Sequence, residues 1–207
     1  MAFKYVSLLL LVLILAPCKS SGQDAPHFNQ LKQRFENDFV FKSDFIHEYN
    51  DTFTGDQQIT TGVIWVGKEQ YKMRSGESVM LVDGDISRVY DSAKNRVIIS
   101  DYVEEEDDFA PSRMLQGVDD SYTVDEFQNE EGQTVIKLTS DDPFSIFLTV
   151  FIFLDETGIP IRIVAIDQVE NELITHFEEG EFIERIPETF QFQFPEDAEL
   201  IDLRHDS

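Results

Sequence analysis

The chain predicts a mainly β fold, β-rich α+β in class, built on one strongly curved antiparallel sheet of about eleven strands with a helical lid. Three observations predict it. Short runs that are alternating or wholly apolar recur from Thr60 almost to the C-terminus. The breaks between them are brief and carry Gly, Asp or Asn, the residues of tight turns. Two stretches only read as helical. An antiparallel sheet of this size curls, and if it stays open its concave face has to be covered by those two helices.

The first residues stand apart. Met1–Lys4 is positively charged, Val6–Ala16 is apolar apart from Ser7, and Lys19–Gln23 turns small and polar. This is the pattern of a secretory leader, and the apolar run is too short to span a bilayer. Residues 1–23 are therefore expected to be a signal peptide and 24–207 a single domain. Leu15-Ala16-Pro17-Cys18 also resembles the site at which bacterial lipoproteins are cleaved and acylated, although Pro17 fits that site poorly. Cleavage downstream of Cys18 would leave no cysteine in the remainder.

His27 to Phe41 reads as an amphipathic helix, with Phe28, Leu31, Phe35 and Phe39 at helical spacing. Phe41, Phe45, Tyr49 and Phe53 then share one face of a strand. The meander follows: Thr60–Val66, Gln70–Arg74, Val79–Val82, Ile86–Tyr90 and Arg96–Tyr102. Glu104–Asp108 is wholly acidic and reads as a solvated loop. Pro111 opens a short helix carrying Met114 and Leu115, and Gly117 closes it. Tyr122–Phe127, Thr134–Thr139, Ile146–Leu154, Ile161–Asp167 and Leu173–Phe182 are strands, with hairpin turns at Asn129–Gly132 and Glu156–Gly158. The nearly all-apolar Ile146–Leu154 is a strand wet on neither face. Phe190–Pro195 reads as a last alternating strand and stop.

Charge limits the partners. Asp and Glu total 41 against 16 Lys and Arg, a net charge of −25. Such a field repels nucleic acid and anionic lipid. It does not imply disorder, because 42% of the residues are hydrophobic and 18 are Phe. A saline habitat is an equal explanation of the acidity.

No constellation for chemistry emerges. Asp83-Gly84-Asp85 sits between two strand-like runs and is a hairpin turn; a calcium loop needs further oxygen ligands at set spacing, and none follows. Glu172, His176 and Glu178 share a strand face, half of a metal site at most. There is no Gly-x-Ser-x-Gly elbow, phosphate loop or His-Glu-x-x-His. No cofactor is expected, and the chain is not expected to be an enzyme. The large side chains are the other signal. Phe41, Phe45, Tyr49 and Phe53, then Trp65, Tyr71, Met73, Met80 and Tyr90, either fill the interior or line a cavity suited to an apolar ligand.

Four stretches carry a resemblance: "GVIWVGKEQYKM" (Gly62–Met73), "VMLVDGDISRVYD" (Val79–Asp91), "FIFLDETGIPIRIVAIDQ" (Phe151–Gln168) and "FQFQFPEDAELID" (Phe190–Asp202). In this order the chain resembles the periplasmic outer-membrane lipoprotein carrier proteins, the LolA-like group. The resemblance implies an unclosed barrel with a helical lid. It implies a monomeric periplasmic shuttle that takes acylated lipoproteins from an inner-membrane ABC-type release complex to an outer-membrane acceptor, protein or bilayer. Its acyl-binding residues would be Phe45, Tyr49, Tyr71, Met73, Met80, Val82 and Tyr90 on the sheet, with Leu31, Phe35, Met114 and Leu115 on the lids. Lys68 stands where the family carries a lid-locking Arg, and it lacks the guanidinium fork. Arg88 stands where relatives place an apolar residue, at a cavity edge or pointing outward. Two alternatives remain open: an outer-membrane receptor of the same fold anchored through Cys18, and a periplasmic sensor or protein-interaction module using the same sheet.

Overall fold

In a computed structural model, residues 25–103, 107, 111–118 and 121–204 are described. The expected leader, Cys18 and most of the acidic run 104–108 lie outside the described residues. The elements are α1 (Pro26–Glu36), β1 (Phe39–Asn50), β2 (Gln57–Val66), β3 (Gln70–Ser75), β4 (Ser78–Asp83), β5 (Ile86–Asp91), β6 (Arg96–Asp101), α2 (Pro111–Gln116), β7 (Thr123–Gln128), β8 (Thr134–Thr139), β9 (Phe147–Leu154), β10 (Pro160–Asp167), β11 (Glu172–Glu184) and β12 (Glu199–Asp202).

All twelve strands form one sheet that does not close, in the order β12-β6-β5-β4-β3-β2-β1-β11-β10-β9-β8-β7. Two antiparallel meanders, β2–β6 and β7–β11, flank β1. The expected antiparallel sheet with few helices is the observed fold, with one parallel pair, β12 on β6.

The expected first helix is too long. α1 stops at Glu36 because Asp38 turns to a left-handed φ of 63°, and the N–H groups of Asn37 and Asp38 close on Gln33 O and Phe35 O. Asx residues tolerate that conformation better than most. Phe39 and Phe41 belong to β1 instead; the helical period runs past the real end because Phe39 happens to follow Phe35 by four. β1 in turn ends at Asn50, so Phe53 is not on the strand face. It sits in the following turn, 97% exposed.

Paired residues across the ladder define two faces. The inner row runs Phe182–Phe41–Val66–Tyr71–Val82–Ser87, with Ser43–Ile64–Met73–Met80–Val89–Ile98 beside it. α1 packs Phe28, Leu31 and Phe35 onto this face, and α2 adds Met114 and Leu115. β9 contributes Val150, Ile152 and Leu154 to the same core. Its outer row, Phe151 and Phe153, is half-buried beneath the cations of Lys137 and Arg162, the latter 3.8 Å from the ring centroid. Neither row of β9 is fully wet.

β11 carries an irregularity that a strict two-residue period hides. Phe177 and Phe182 are five apart and would point to opposite faces. Glu179 (φ 53°) and Gly180 oppose Ser43 alone, and Ser43 Oγ donates to Glu178 O at 2.8 Å. The bulge returns Phe182 to the inner face, where Phe41 meets Phe177 at 5.1 Å and Phe182 at 5.4 Å.

The expected last strand, Phe190–Pro195, is not in the ladder. This segment passes over the outer face of β2–β4 as a strap: Lys72 Nζ donates to Thr189 O and Gln191 O, and Phe190 abuts Gly67. Its carbonyls are satisfied by a side chain rather than a strand, and Pro195 has no N–H to offer. The closing strand is β12, past the strap.

Candidate functional site

α1 is fixed at both ends. It has no side-chain cap of its own. Glu126, from β7, accepts hydrogen bonds from the N–H groups of His27 and Phe28 and pairs with the His27 ring. At the other end, Arg34 donates to Thr157 O and Gly158 O in the β9–β10 turn and lies 4.7 Å from the Phe182 ring. Beneath it Leu31, Phe35, Phe41 and Phe45 are buried and interlocked with Ile64, Met114 and Leu115. Under α1, then, the aromatics fill the interior.

Space opens to one side. Between α2 and the inner faces of β3 and β4 is a hollow of about 730 Å³, within the size range of small-ligand sites. Tyr71, Val82, Tyr102, Val103 and Val118 supply its apolar wall, and Lys68, Glu69, Asp85, Arg113 and Gln116 its polar rim. Beside Tyr71 and Val82 on the same sheet face runs the row Met73, Met80, Val89 and Ile98, all half-buried.

The expected site residues therefore divide. Tyr71 and Val82 line the hollow; Met73 and Met80 pair with each other in the next row of the same face, outside its lining. Leu31, Phe35, Phe45, Met114 and Leu115 lie in the packed core, and Tyr49 lines a separate 190 Å³ pocket at the far end of β1. Tyr90 is not with them: it pairs with Val79, placing it on the outer face, where its hydroxyl donates to Asn95 Oδ1. Arg88 shares that face, 3.7 Å from Asp83, and Trp65 lies there under Lys72. Lys68 is exposed, but its backbone carbonyl accepts a 3.0 Å hydrogen bond from Gln116 Nε2, and Gly67 O a second at 3.5 Å. A glutamine on the second helix thus ties it to the β2–β3 turn. Val103 and Gln116 carry no sequence signal, and Tyr102, expected at the end of a strand, lies just past β6.

The Asp83-Gly84-Asp85 stretch is a turn. Asp83 pairs with Ile86, leaving Gly84 and Asp85 as the two turn residues, with Gly84 at φ 58° in the first central position. Among the described residues no group of His, Cys, Asp or Glu is arranged to hold a metal.

One acid of the loop is turned inward. Asp107 Oδ2 accepts from Tyr71 Oη at 2.5 Å and Tyr102 Oη at 2.9 Å. Burial, reinforced by the Asp107 charge, pushes the Tyr71 phenol far up, so it stays a neutral donor. On the same inner face, His47 has Nδ1 2.8 Å from Thr175 Oγ1. Burial lowers His47 from 6.5 to about 4, against a smaller upward pull from Asp107. The folded chain keeps this imidazole neutral where the unfolded chain protonates it. Between pH 6.5 and 4 the unfolded state binds more protons, so stability falls as pH is lowered through that window, by about 3 kcal/mol from this group. Urea midpoints measured from pH 7 to 4 are expected to fall, with a shallower fall in His47→Gln. An unchanged slope in that variant refutes the assignment.

No protein-family profile matches the chain, and no curated protein matches its sequence. Similarities to solved structures do occur. An uncharacterized conserved protein from Thermus thermophilus superposes with a TM-score of 0.52 at 12% identity, covering 84% of this chain and 98% of its own. A LolA superfamily protein from Nitrosomonas europaea gives 0.45 at 10% identity over 79% of this chain and 97% of its own. An outer membrane lipoprotein-sorting protein domain from Vibrio parahaemolyticus gives 0.41 at 10% over 78% and 93%. What the first of these likenesses establishes is the fold alone.

Proposed function

We propose that the protein is an extracytoplasmic, non-enzymatic carrier that shelters the acyl chains of lipoproteins against the inner face of its open sheet. The observation that carries this reading is the 730 Å³ hollow beneath α2, whose lining residues Tyr71 and Val82 share a sheet face with the half-buried row Met73–Met80–Val89–Ile98. Each CH₂ removed from water contributes about 0.8 kcal/mol, so a short stretch of alkyl chain laid along this row binds usefully without being locked in. Methionines suit such a wall because their unbranched chains repack around irregular guests. The carboxylates and cations at the rim keep the mouth wet. α1 is anchored at two ends and acts as a fixed plug; α2, held to the β2–β3 turn through Gln116, is the element that can shift to admit cargo. The resemblance in Gly62–Met73 and Val79–Asp91 maps onto β2–β5, the strands that build this wall. Delivery between an inner-membrane release complex and an outer-membrane acceptor is part of the same proposal.

A fluorescent fatty acid tests it. The wild type should take up the probe saturably. Val103→Trp, at a position 45% exposed and lining the hollow, should weaken uptake about tenfold with an unchanged melting transition. Absence of saturable uptake, or indifference to this filling substitution, rejects the reading.

A further inference from the structure

The end of the sheet opposite the hollow has a construction that the carrier reading does not use. Three turns meet there: β1–β2, β8–β9 and β10–β11. Each contains an aspartate followed two residues later by a large apolar residue, Asp51-Thr52-Phe53, Asp142-Pro143-Phe144 and Asp167-Gln168-Val169. In each, the aspartate Oδ1 accepts the backbone N–H of that apolar residue, at 2.9, 2.9 and 2.8 Å. The apolar side chains are left outside: Phe53 is 97% exposed, Phe144 92% and Val169 68%.

The turns are also bound to each other. Thr52 N–H donates to Asn171 Oδ1 at 3.0 Å, joining the first to the third. Gln168 Nε2 donates to Ser145 O at 2.9 Å and to Asp142 O at 3.3 Å, joining the third to the second. Isolated exposed apolar residues are ordinary. Three on interlocked turns, each backed by a carboxylate holding its backbone, form a presented surface.

We propose that this rim docks a protein partner whose apolar seat is ringed by Lys and Arg. Charge complementarity selects that occupant. Every tip is flanked by carboxylates, in a chain of net charge −25, so an anionic bilayer or an acidic protein is repelled while a basic surround is attracted. Apolar tips, two of them aromatic, surrounded by charge are the arrangement of an interface anchor with a polar rim. Two of the three turns, through Ser145 and through Asp167, Gln168 and Val169, line the 190 Å³ pocket between Tyr49, Phe147 and Leu173, so a docked partner would sit beside that opening. This docking does not depend on what occupies the hollow.

The test uses the full chain and a labelled amphipathic peptide of alternating leucine and lysine, with a leucine–glutamate peptide as its control. The wild type should bind the lysine peptide and not the glutamate one. The triple variant Phe53→Ser/Phe144→Ser/Val169→Ser keeps every charge and removes only exposed groups, so its melting transition should stay in place while peptide affinity falls at least tenfold. Equal binding by the triple variant means net charge alone is responsible and overturns the proposal, as does no binding by the wild type. Flotation of the wild type with phosphatidylcholine vesicles, lost in the triple variant, makes the occupant a lipid surface and likewise overturns it. Fatty-acid uptake by the triple variant should be normal, which separates failure here from failure of the carrier reading.

Discussion

Phe41→Ala will lower the unfolding free energy by about 4 kcal/mol. Phe41 is fully buried at the point where α1, β1 and β11 meet, edge-on to Phe177 and tilted against Phe182. Its ring also closes on the bulge, 3.0 Å from where a Cβ on Gly180 would lie. Truncation removes the transfer energy of a phenyl ring and leaves a cavity whose walls cannot collapse, because Glu126 and Arg34 hold α1 at both ends. Phe41→Leu should retain well over half of the lost stability. Urea denaturation decides the matter; a cost below about 1 kcal/mol for the alanine would mean that the wall does collapse and that α1 is not held at both ends.

Gly62→Ala is expected to be nearly as damaging, about 3 kcal/mol, at the top of the range for forced overpacking. Gly62 lies opposite Phe45 in the β1–β2 ladder, and an added Cβ would stand 2.0 Å from the carbonyl oxygen of Arg74 and 3.0 Å from the Phe45 ring. The obstacle is backbone, so no rotamer relieves it; β2 and β3 must separate just beyond their last pair, Val63–Arg74. Close backbone approach is a recurrent reason for glycine inside a strand. Gly76→Ala serves as a contrast, since open space surrounds that position and only its φ of 53° opposes the change. If Gly62→Ala melts with the parent, the β2–β3 junction is looser than this geometry implies.

Much of the sheet is legible in the sequence because alternation is a local property. β3–β6 and β8–β10 can be read to within a residue or two, each a short run bounded by turn residues. What escapes depends on the backbone or on distant partners. The φ reversal at Asp38 ends α1 while the Phe35–Phe39 spacing carries on as if helical. The bulge at Glu179–Gly180 changes the face of Phe182 without changing composition. Phe190–Phe194 alternates like a strand but joins no ladder, and the Lys72 ammonium donates to Gln191 O. At the site, Tyr71 and Val82 are readable as large residues of two neighbouring strands, β3 and β4. Tyr90 is not, because adjacent antiparallel strands share a face only in a given register, and Val79 rather than Met80 opposes it. Asp107 is one of five consecutive acids in the sequence, and only its two tyrosine partners distinguish it.

The position of β1 at the middle of the sheet has a consequence for how the chain is made. One of its edges is matched immediately by β2, the next strand to be synthesised. The other waits for β11, so Phe41 has no Phe182 until about 140 further residues have been made. During that interval a long, apolar-faced strand edge is unprotected and open to mispairing with another nascent copy. Assembly of the two meanders into one sheet is thus a late, vectorial event, and a chain halted before residue 172 would carry two unjoined groups of strands with the β1 edge left open.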